Sequence, residues 1–294
     1  MHVDNFLGNI FVSCDRGCNF RLSIERIYMQ DFVHLHVHTQ YSLLDGQASV
    51  SRLVDKAMKD GMKGIAVTDH GNMFGIKEFT NYVNKKNSGP KGEIKDLKKR
   101  IAGIESGEIE CEDKEAEIAD CRAKMAEAES KLFKPIVGCE MYVARRTMDK
   151  KEGKPDQSGY HLIVLAKNEK GYHNLIKLVS HAWTRGYYMR PRTDRSELEK
   201  YHEGLIVCSA CIGGEVPKKI INDQLEEAEE AVRWYKNLFG DDYYLELQRH
   251  KATVPRANHE AYPLQQKANA KLLELARKYD IKVICSNDVH FVDE

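Results

Sequence analysis

The stretch FVHLHVHTQYSLLDG, residues 32–46, decides how the rest of the chain is interpreted. It opens with apolar side chains that alternate with histidines, a pattern typical of a β-strand. Alternate side chains of a strand point to the same face, so His36 and His38 can reach one metal ion from neighbouring positions. His34 shares that parity, and periodicity alone does not select the pair. Histidines this dense at the end of a predicted strand indicate a metal site.

Outward from this stretch, short apolar runs alternate with amphipathic helical segments. In the last segment Leu264, Ala268 and Leu272 recur at the four-residue spacing of one helix face. Helices are predicted near 48–60, 75–86, 169–184, 223–239 and 258–279, and seven strands at 32–37, 64–68, 135–139, 161–166, 205–209, 243–247 and 282–286. Strands that alternate with helices predict a parallel sheet, and seven of them suit an α/β barrel with its functional groups at the strand ends.

Residues 85–134 interrupt this rhythm, because they carry 12 basic and 12 acidic side chains in 50 positions. Ile94, Leu97 and Ile101 fall at helical spacing, and a second such series follows after Gly107. We therefore predict a charged helical hairpin, about 87–132, inserted between the second and third strands. The alternative is a solvated, partly frayed insertion.

The composition sets limits on the class of protein. The chain has 294 residues, 42% of them hydrophobic, and its 45 basic and 45 acidic side chains give zero net charge. It can bury a core, and it lacks the excess of cations expected of a basic nucleic-acid-binding surface. No apolar run is long enough to cross a membrane. The eight cysteines are scattered and do not form a disulfide framework, so we expect a cytoplasmic protein.

Residues 1–30 are expected to be a poorly ordered leader, with the ordered domain, 31–294, beginning near Asp31. The leader has no signal-peptide pattern. Cys14 and Cys18 are spaced like half of a zinc site, but no second pair follows at a usual distance.

Several predicted strands end in side chains that ligate metals. His70 follows the second strand, Glu140 the third and Cys211 the fifth, while Asp288 and His290 follow the seventh. Each alone is more often a turn or capping residue. Together they bring ligands from separate loops to one end of the predicted barrel, and imidazole mixed with carboxylate suits Zn, Mn or Fe better than Mg or Ca. Motifs of phosphate-binding loops, dinucleotide-binding folds and serine hydrolases are absent.

Five segments then identify a resemblance: HLHVHTQYSLLDG (34–46), TDHGNMFG (68–75), KPIVGCEMYV (134–143), HLIVLAKNEKGYHNL (161–175) and SNDVHF (286–291). They resemble the polymerase-and-histidinol-phosphatase (PHP) domain, in the version carried by the alpha subunits of bacterial replicative DNA polymerases. The resemblance runs from about residue 31 to the end of the chain, apart from the insert. It implies a distorted (β/α)7 barrel with up to three divalent metal ions.

The resemblance also implies a ligand set. His36, His38, Glu140 and Asp288 would surround a first metal. Glu140 would bridge to a second, shared with His161 and Cys211, and Asp45, His70 and His290 would hold a third. His161 is nominated by the resemblance alone, because it opens a predicted strand instead of ending one, and His34 lies outside the family pattern.

The implied activity is metal-dependent hydrolysis of a phosphate ester, with a DNA 3′ end as substrate and 3′→5′ exonuclease action as the reaction. Catalytic roles are expected for Glu140, Asp288 and His70. Substrate contacts are expected from Arg185, Arg190, Arg192 and Arg249, for which exposed loop charges are the alternative. Trp183 and Trp234 lie on amphipathic helices and are expected in the core.

The resemblance places polymerisation beyond Glu294, so this chain is not expected to polymerise nucleotides. Its implied partners are the rest of the polymerase alpha subunit, a separate exonuclease subunit and other replisome subunits. Two alternatives stay open. One is a free-standing phosphomonoesterase of the histidinol-phosphatase kind, and the other is a non-catalytic scaffold that docks a separate exonuclease.

Overall fold

The fold is a curled mixed sheet covered by helices, seen in a computed structural model that describes residues 32–252 and 260–293. The expected leader, 1–30, lies outside the described residues. The elements in chain order are α1 Val50–Lys59, β1 Gly64–Val67, α2 Ile76–Lys86, α3 Ser88–Ser106, α4 Lys114–Ser130, β2 Lys134–Ala144, β3 Gly159–Ala166, α5 Glu169–Thr184, β4 Arg192–Thr193, α6 Arg195–Tyr201, β5 Leu205–Cys208, α7 Glu215–Ile221, α8 Leu225–Phe239, β6 Tyr243–Gln248, α9 Ala261–Tyr279 and β7 Lys282–Ser286. None of these helices is long and apolar enough to span a membrane.

The sheet is not wholly parallel, which corrects one prediction. Its order is β1-β2-β3-β5-β6-β7, with β4 paired to β2. Strand β3 runs antiparallel to both β2 and β5, whereas the other pairs are parallel. The reason lies in the connection 145–158, which contains a single 3-10 turn and no crossover helix. Parallel neighbours need such a crossover, so the chain turns back on itself here.

The histidine-rich segment 32–38 joins the two ends of the sheet without forming a regular strand. Thr68 N donates to Val37 O at 2.9 Å on the β1 side, and His38 N donates to Val289 O at 2.7 Å just after β7. The predicted strand at 32–37 is thus extended backbone with one isolated bridge, Val37 to Val289. The two-residue β4 was not predicted. The predicted (β/α)7 barrel therefore corresponds, more coarsely, to a curled α/β sheet.

Apolar side chains fill the inside of the curled sheet. Nearly every long strand contributes one or two residues to this cluster, because alternate side chains of a strand point inward. The cluster contains Val33, Leu35, Ala66, Ile136, Ile163, Leu165, Ile206, Cys208, Tyr244 and Ile284. A larger cluster packs the outer face of the sheet against helices that include α5, α8 and α9. The inner cluster supports the polar groups described next.

Helices α3 and α4 lie between β1 and β2, in the region of the predicted insert. Arg100 and Glu117 form an ion pair of 2.7 Å between the two helices, and Ile104 and Cys121 are buried. Gly107 ends α3 in the left-handed conformation that a glycine adopts without a Cβ penalty. Where the pair of helices leaves the body, Asn87 Nδ2 donates to Phe133 O at 2.7 Å and Phe133 N donates to Asn87 Oδ1 at 2.9 Å.

Candidate metal centre

Side chains from seven separate segments converge at one end of the curled sheet. Histidines come from segment 32–38, from the loop after β1, from the beginning of β3 and from the loop after β7. The carboxylates and a thiol come from the loop after segment 32–38, from β2 and from the loops after β5 and β7. Because β3 is antiparallel, its beginning lies beside the ends of its neighbours. This explains why His161, which opens a strand, reaches the same place as residues that follow strands.

Glu140 lies at the middle of this cluster and is almost completely buried. Its Oε1 is 2.7 Å from His161 Nδ1 and 3.3 Å from His36 Nε2. Its Oε2 pairs with His70 Nδ1 and is 3.8 Å from His38 Nε2. One carboxylate therefore contacts four imidazoles that come from three parts of the chain.

Asp288 closes the cluster from the loop after β7. Its Oδ1 lies 3.1 Å from His36 Nε2 and 3.2 Å from His38 Nε2. Its backbone has a φ of 49°, in the left-handed region, which aspartate tolerates better than most residues. His36, His38 and Asp288 have ligand atoms close enough together to share one ion.

Cys211 forms a second group with Glu140 and His161. Its Sγ is 3.6 Å from His161 Nδ1 and 3.8 Å from Glu140 Oε1. The preceding Ala210 has a φ of 61°, a conformation unfavourable for alanine, and it turns the chain toward the cluster. Burial raises the pKa of the Cys211 thiol well above its usual value, so the free thiol is neutral.

The outer side of the cluster is more open. His70 Nε2 is 3.2 Å from Asp45 Oδ2, and His290 Nε2 is 3.8 Å from the same oxygen. The ring of His38 lies 4.0 Å from that of His70 and 4.3 Å from that of His290. These three histidines also have ligand atoms close enough together to hold one ion. Asp45 is about half exposed and borders solvent.

Buried polar atoms without hydrogen bonds test whether this cluster fits metal ions. Within the described part of the chain, five such atoms belong to the cluster: His36 Nε2, His38 Nε2, His70 Nδ1, Glu140 Oε2 and Asp288 Oδ1. A buried polar atom left unsatisfied costs about 1–3 kcal/mol. Here these atoms meet one another in the close charge contacts given above, and a divalent cation between them would satisfy several at once. The donor set therefore fits metal ions, and imidazole with carboxylate and thiol suits zinc, manganese or iron.

A second layer of polar groups orients His36. Its Nδ1 is 2.8 Å from Glu246 Oε1, so its Nε2 faces the cluster. Glu246 is itself buried, accepts from Gln248 Nε2 at 2.9 Å and is hydrogen-bonded by Ser286 Oγ. Metal-binding histidines commonly donate their other nitrogen to a carboxylate in this way. Sequence reasoning did not single out Glu246, although a charged side chain within the buried strand YYLELQ is a signal for such a role.

A hydrogen-bonded turn orients His38. Its Nδ1 is 2.9 Å from Ser42 Oγ, and Ser42 Oγ donates to Asp69 Oδ1 at 2.8 Å. Asp69 Oδ1 also accepts from Thr39 N at 2.7 Å. The aspartate of the TDHG segment thus holds the turn that follows the histidine-rich segment.

Charge interactions shift the protonation of the cluster. Burial alone would lower the pKa of His36, but the Glu246 and Asp288 carboxylates outweigh it and raise that pKa well above its usual value. Burial would raise the pKa of Glu140, yet His161 and the other imidazoles around it lower that pKa well below its usual value. The pKa of Asp288 is lowered in the same way by His36 and His38. The cluster is therefore a set of ionised carboxylates held beside protonatable imidazoles.

A cleft of about 460 Å³ opens beside the cluster. Asp45, His70 and His161 line it on the cluster side, and Trp183 and Tyr187 lie among its other residues. Trp183 is 40% exposed, so the expectation that it belongs to the core is wrong. It sits in the last turn of α5, where the helix passes the mouth of the cleft. Trp234 is partly buried and packs against the core, as expected.

The four arginines expected to bind substrate occupy different places. Arg190 lines the cleft. Arg192 is fully buried and donates to the carbonyl oxygens of Gly186, Met148 and Lys150, which corrects its expected role in substrate binding. Its backbone lies in β4, an element that the sequence did not reveal. Arg185 pairs with Glu197 at 3.4 Å and Arg249 donates to Tyr262 at 3.1 Å, both outside the cleft lining.

Taken together, the curled sheet and the cluster at its end define an α/β protein with a candidate metal centre. The chain belongs to the PHP domain family, whose model matches residues 34–250.

Curated relatives named DNA polymerase III subunit alpha are similar to most of the chain. The one from Borreliella burgdorferi is 39% identical over 263 residues, covering 89% of this chain and 18% of the relative. The one from Aquifex aeolicus is 36% identical over 270 residues, covering 90% and 18%. The chain therefore spans about 18% of the length of these relatives.

A solved structure from Bifidobacterium adolescentis, whose description proposes a metal-dependent phosphoesterase, is 15% identical with a TM-score of 0.42. The match covers 89% of this chain and 88% of that one. A likeness of this size supports no conclusion about function.

Proposed function

We propose that this chain is a metal-dependent phosphoesterase that hydrolyses phosphodiester bonds at the 3′ end of DNA, as a 3′→5′ exonuclease. The observation that carries the proposal is the set of buried imidazole and carboxylate atoms that face one another without hydrogen bonds. Several cations held close together suit phosphoryl chemistry, where charge develops on more than one oxygen. The similarity to DNA polymerase III alpha subunits supports DNA as the substrate.

The proposed ligands are those that the family resemblance implies. His36, His38, Glu140 and Asp288 would hold a first cation, Glu140 would also serve a second with His161 and Cys211, and Asp45, His70 and His290 would hold a third. When bound, zinc, manganese or iron would polarise the phosphoryl oxygens and lower the pKa of water. Glu140, Asp288 and His70 are the proposed catalytic residues. Asp45, His70 and His161 are the proposed ligands that also line the cleft, so they meet the substrate first.

The proposal extends to the architecture and partners of the chain. Residues 31–294 form the PHP domain and the helical pair within about 87–132 is an insertion into it. The polymerase active site lies in other parts of the polymerase polypeptide, and this chain does not polymerise. The rest of the alpha subunit, a separate exonuclease subunit and other replisome subunits are the proposed protein partners.

An exonuclease assay tests the proposal. The chain is loaded with Mn²⁺ or Zn²⁺ and given 5′-labelled DNA with single-stranded or mismatched 3′ ends. We expect stepwise shortening of the DNA from its 3′ end and loss of this activity when the metal is chelated. In His36→Ala we expect the activity to fall at least about 100-fold, because mutating even the residues that hydrogen-bond to metal ligands costs up to that factor. His34→Ala is the matched control, since His34 lies on the same segment but faces a different cleft with Lys56 and Phe291.

Intact DNA ends, or equal activity in wild type and His36→Ala, would contradict the proposal. Cleavage of phosphomonoesters alone would indicate the small-molecule phosphatase. A chain that neither binds metal nor hydrolyses phosphate esters would indicate the non-catalytic scaffold.

A further inference from the structure

The cleft beside the metal centre is bordered by exposed apolar side chains. Eleven large hydrophobic residues are exposed in the described part of the chain, and six of them line this one cleft: Leu43, Leu44, Phe74, Trp183, Tyr187 and Met189. Leu44 is 82% exposed. Single exposed apolar residues are ordinary, but a contiguous group around a cleft marks a binding surface. The group is continuous with Asp45, His70 and His161 of the metal centre.

Three of these residues form an aromatic platform, defined here as Phe74, Trp183 and Tyr187. The rings of Trp183 and Tyr187 are stacked, with centroids 5.6 Å apart and planes at 19°. The ring of Phe74 lies 5.9 Å from that of Trp183. Trp183 Nε1 donates to Gly71 O at 2.7 Å, so the indole is fixed to the loop that carries His70. The platform is therefore preorganised and needs little ordering to accept a ligand.

A cation completes the cleft. Arg190 is exposed, and its guanidinium lies 5.9 Å from the centroid of the Tyr142 ring. No carboxylate of the described residues forms an ion pair with it. The Tyr142 ring in turn lies 5.2 Å from that of His161. One cleft thus presents flat aromatic faces, a guanidinium without an acidic partner and the edge of the metal centre.

We infer that the aromatic platform binds the unpaired bases at the 3′ end of single-stranded DNA, while Arg190 binds a phosphate of the same strand. The inference rests on the proposed function, because it names how the substrate of that site is held. Every base has a π-face that stacks on aromatic rings, so such binding tolerates any sequence. Paired bases keep their faces inside the duplex. The platform therefore selects frayed or mismatched ends, which are the ends that need removal.

The combination of groups in the cleft favours this occupant over an apolar protein segment. A hydrophobic peptide would satisfy the platform but would bring no anion to Arg190 or to bound cations. A single-stranded nucleic acid brings flat apolar bases and phosphates at a regular spacing. The cleft volume of about 460 Å³ is within the range of sites for ligands of nucleotide size.

The test is a binding measurement that does not depend on hydrolysis. The probe is a short oligodeoxythymidylate with phosphorothioate linkages at its 3′ end, compared with the same strand carrying abasic sugars at its last two positions. On the Mn²⁺-loaded chain we expect tighter binding of the strand with bases, by about 5- to 150-fold per stacked base. Trp183→Leu and Tyr187→Leu should each remove much of this preference. Tyr172→Leu, an exposed tyrosine on α5 outside the cleft, should leave it unchanged.

Equal binding of the two probes, or an equal effect of all three variants, would overturn the inference. So would a wild-type dimer that Trp183→Leu converts to a monomer, since the platform would then join two copies. If Trp183→Leu does not fold, Tyr187→Leu tests the inference instead, because the Tyr187 side chain is half exposed and its replacement should leave the fold intact. Base-dependent binding without hydrolysis would remove only the exonuclease proposal, and hydrolysis without base preference would remove only the platform.

Discussion

Glu140 shows at the scale of one residue why the cluster depends on more than its ligands. Its carboxylate contacts imidazoles that are oriented by other buried groups, Glu246 behind His36 and Ser42 behind His38. His36 and His38 thereby each have one nitrogen satisfied and the other facing the centre. The geometry is set before a cation arrives, and this reduces the cost of ordering the ligands on binding.

Removing the charge behind His36 is the first prediction at this scale. Glu246→Gln keeps the size of the side chain but removes the carboxylate that fixes His36 Nδ1 as a donor. We expect metal affinity to fall about 10- to 100-fold while the fold is kept. Competition with a fluorescent chelator measures the affinity. Glu274→Gln, an exposed carboxylate on α9, is the control, and an unchanged affinity in Glu246→Gln would contradict the role of Glu246.

The second prediction concerns pH. Burial would lower the pKa of both His36 and His70, but nearby carboxylates outweigh this effect and raise both pKa values. Glu246 and Asp288 act on His36, and Glu140 acts on His70. Below these raised pKa values each imidazole carries an additional proton, which a cation must displace. Metal affinity should therefore fall as pH falls below these raised pKa values. Above them it should keep rising, because binding also has to displace the proton of the buried Cys211 thiol, whose pKa is raised well above its usual value. Calorimetry in buffers of different ionisation enthalpy should detect released protons; pH-independent affinity with no release would contradict this.

The same pKa shifts make the stability of the metal-free chain depend on pH in the opposite direction to its metal affinity. A raised histidine pKa stabilises the fold at low pH, and this contribution disappears as pH rises through the folded-state value. His36 and His70 therefore stabilise the metal-free chain less as pH rises toward the range where metal binding is strongest. Bound metal should increase the melting temperature more at pH 8 than at pH 6.

At the scale of elements, the sequence predicted the regular parts well. The periodic segments at 169–184 and 282–286 coincide with α5 and β7. Helices α6 and α7 have seven residues each, too few for a helical period to stand out. The direction of β3 depends on a connection without a helix, which apolar runs do not reveal. Trp183 was misplaced because an amphipathic helix can direct an aromatic ring to a cleft as well as to the core.

Some residues of the candidate site could likewise be predicted from the sequence, and others could not. His36 and His38 stand out because histidines are dense at the end of a predicted strand, and His70, Asp288 and Cys211 stand out because they follow predicted strands. His161 needed the family resemblance, since its position makes sense only when β3 is antiparallel. Glu246 and the aromatic platform were missed, because their roles depend on contacts between residues far apart in the chain.

The third prediction concerns helices α3 and α4. Asn87 and Phe133 are joined by two hydrogen bonds, so the chain enters and leaves the helical pair at one point. Replacing 88–132 with a short glycine–serine linker should keep the body folded and its metal content unchanged. Loss of metal in the shortened chain would contradict the view that the pair is an insertion. Asn87→Ala should by contrast cost about 1–3 kcal/mol of unfolding free energy, because it leaves buried backbone groups unpaired.

At the scale of the whole molecule, zero net charge and a phosphate-binding role are compatible. The cluster contributes the carboxylates of Asp45, Glu140 and Asp288, and the buried Cys211 thiol is neutral without metal. Divalent cations would reverse the sign of this region without any change in the count of Lys and Arg. On the proposed function, the positive charge that meets DNA would then come mainly from bound cations and locally from Arg190. A basic surface, which the composition excludes, is not required.

The metal content of the chain tests the central claim most directly. The chain is purified without chelators and analysed by mass spectrometry of its metals, beside Glu140→Ala and His34→Ala. We expect two to three divalent ions of zinc, manganese or iron per chain in the wild type and in His34→Ala. Glu140→Ala should lose at least one of them, because its carboxylate is the proposed bridge. Fewer than two ions in the wild type, or the same content in Glu140→Ala, would contradict the account.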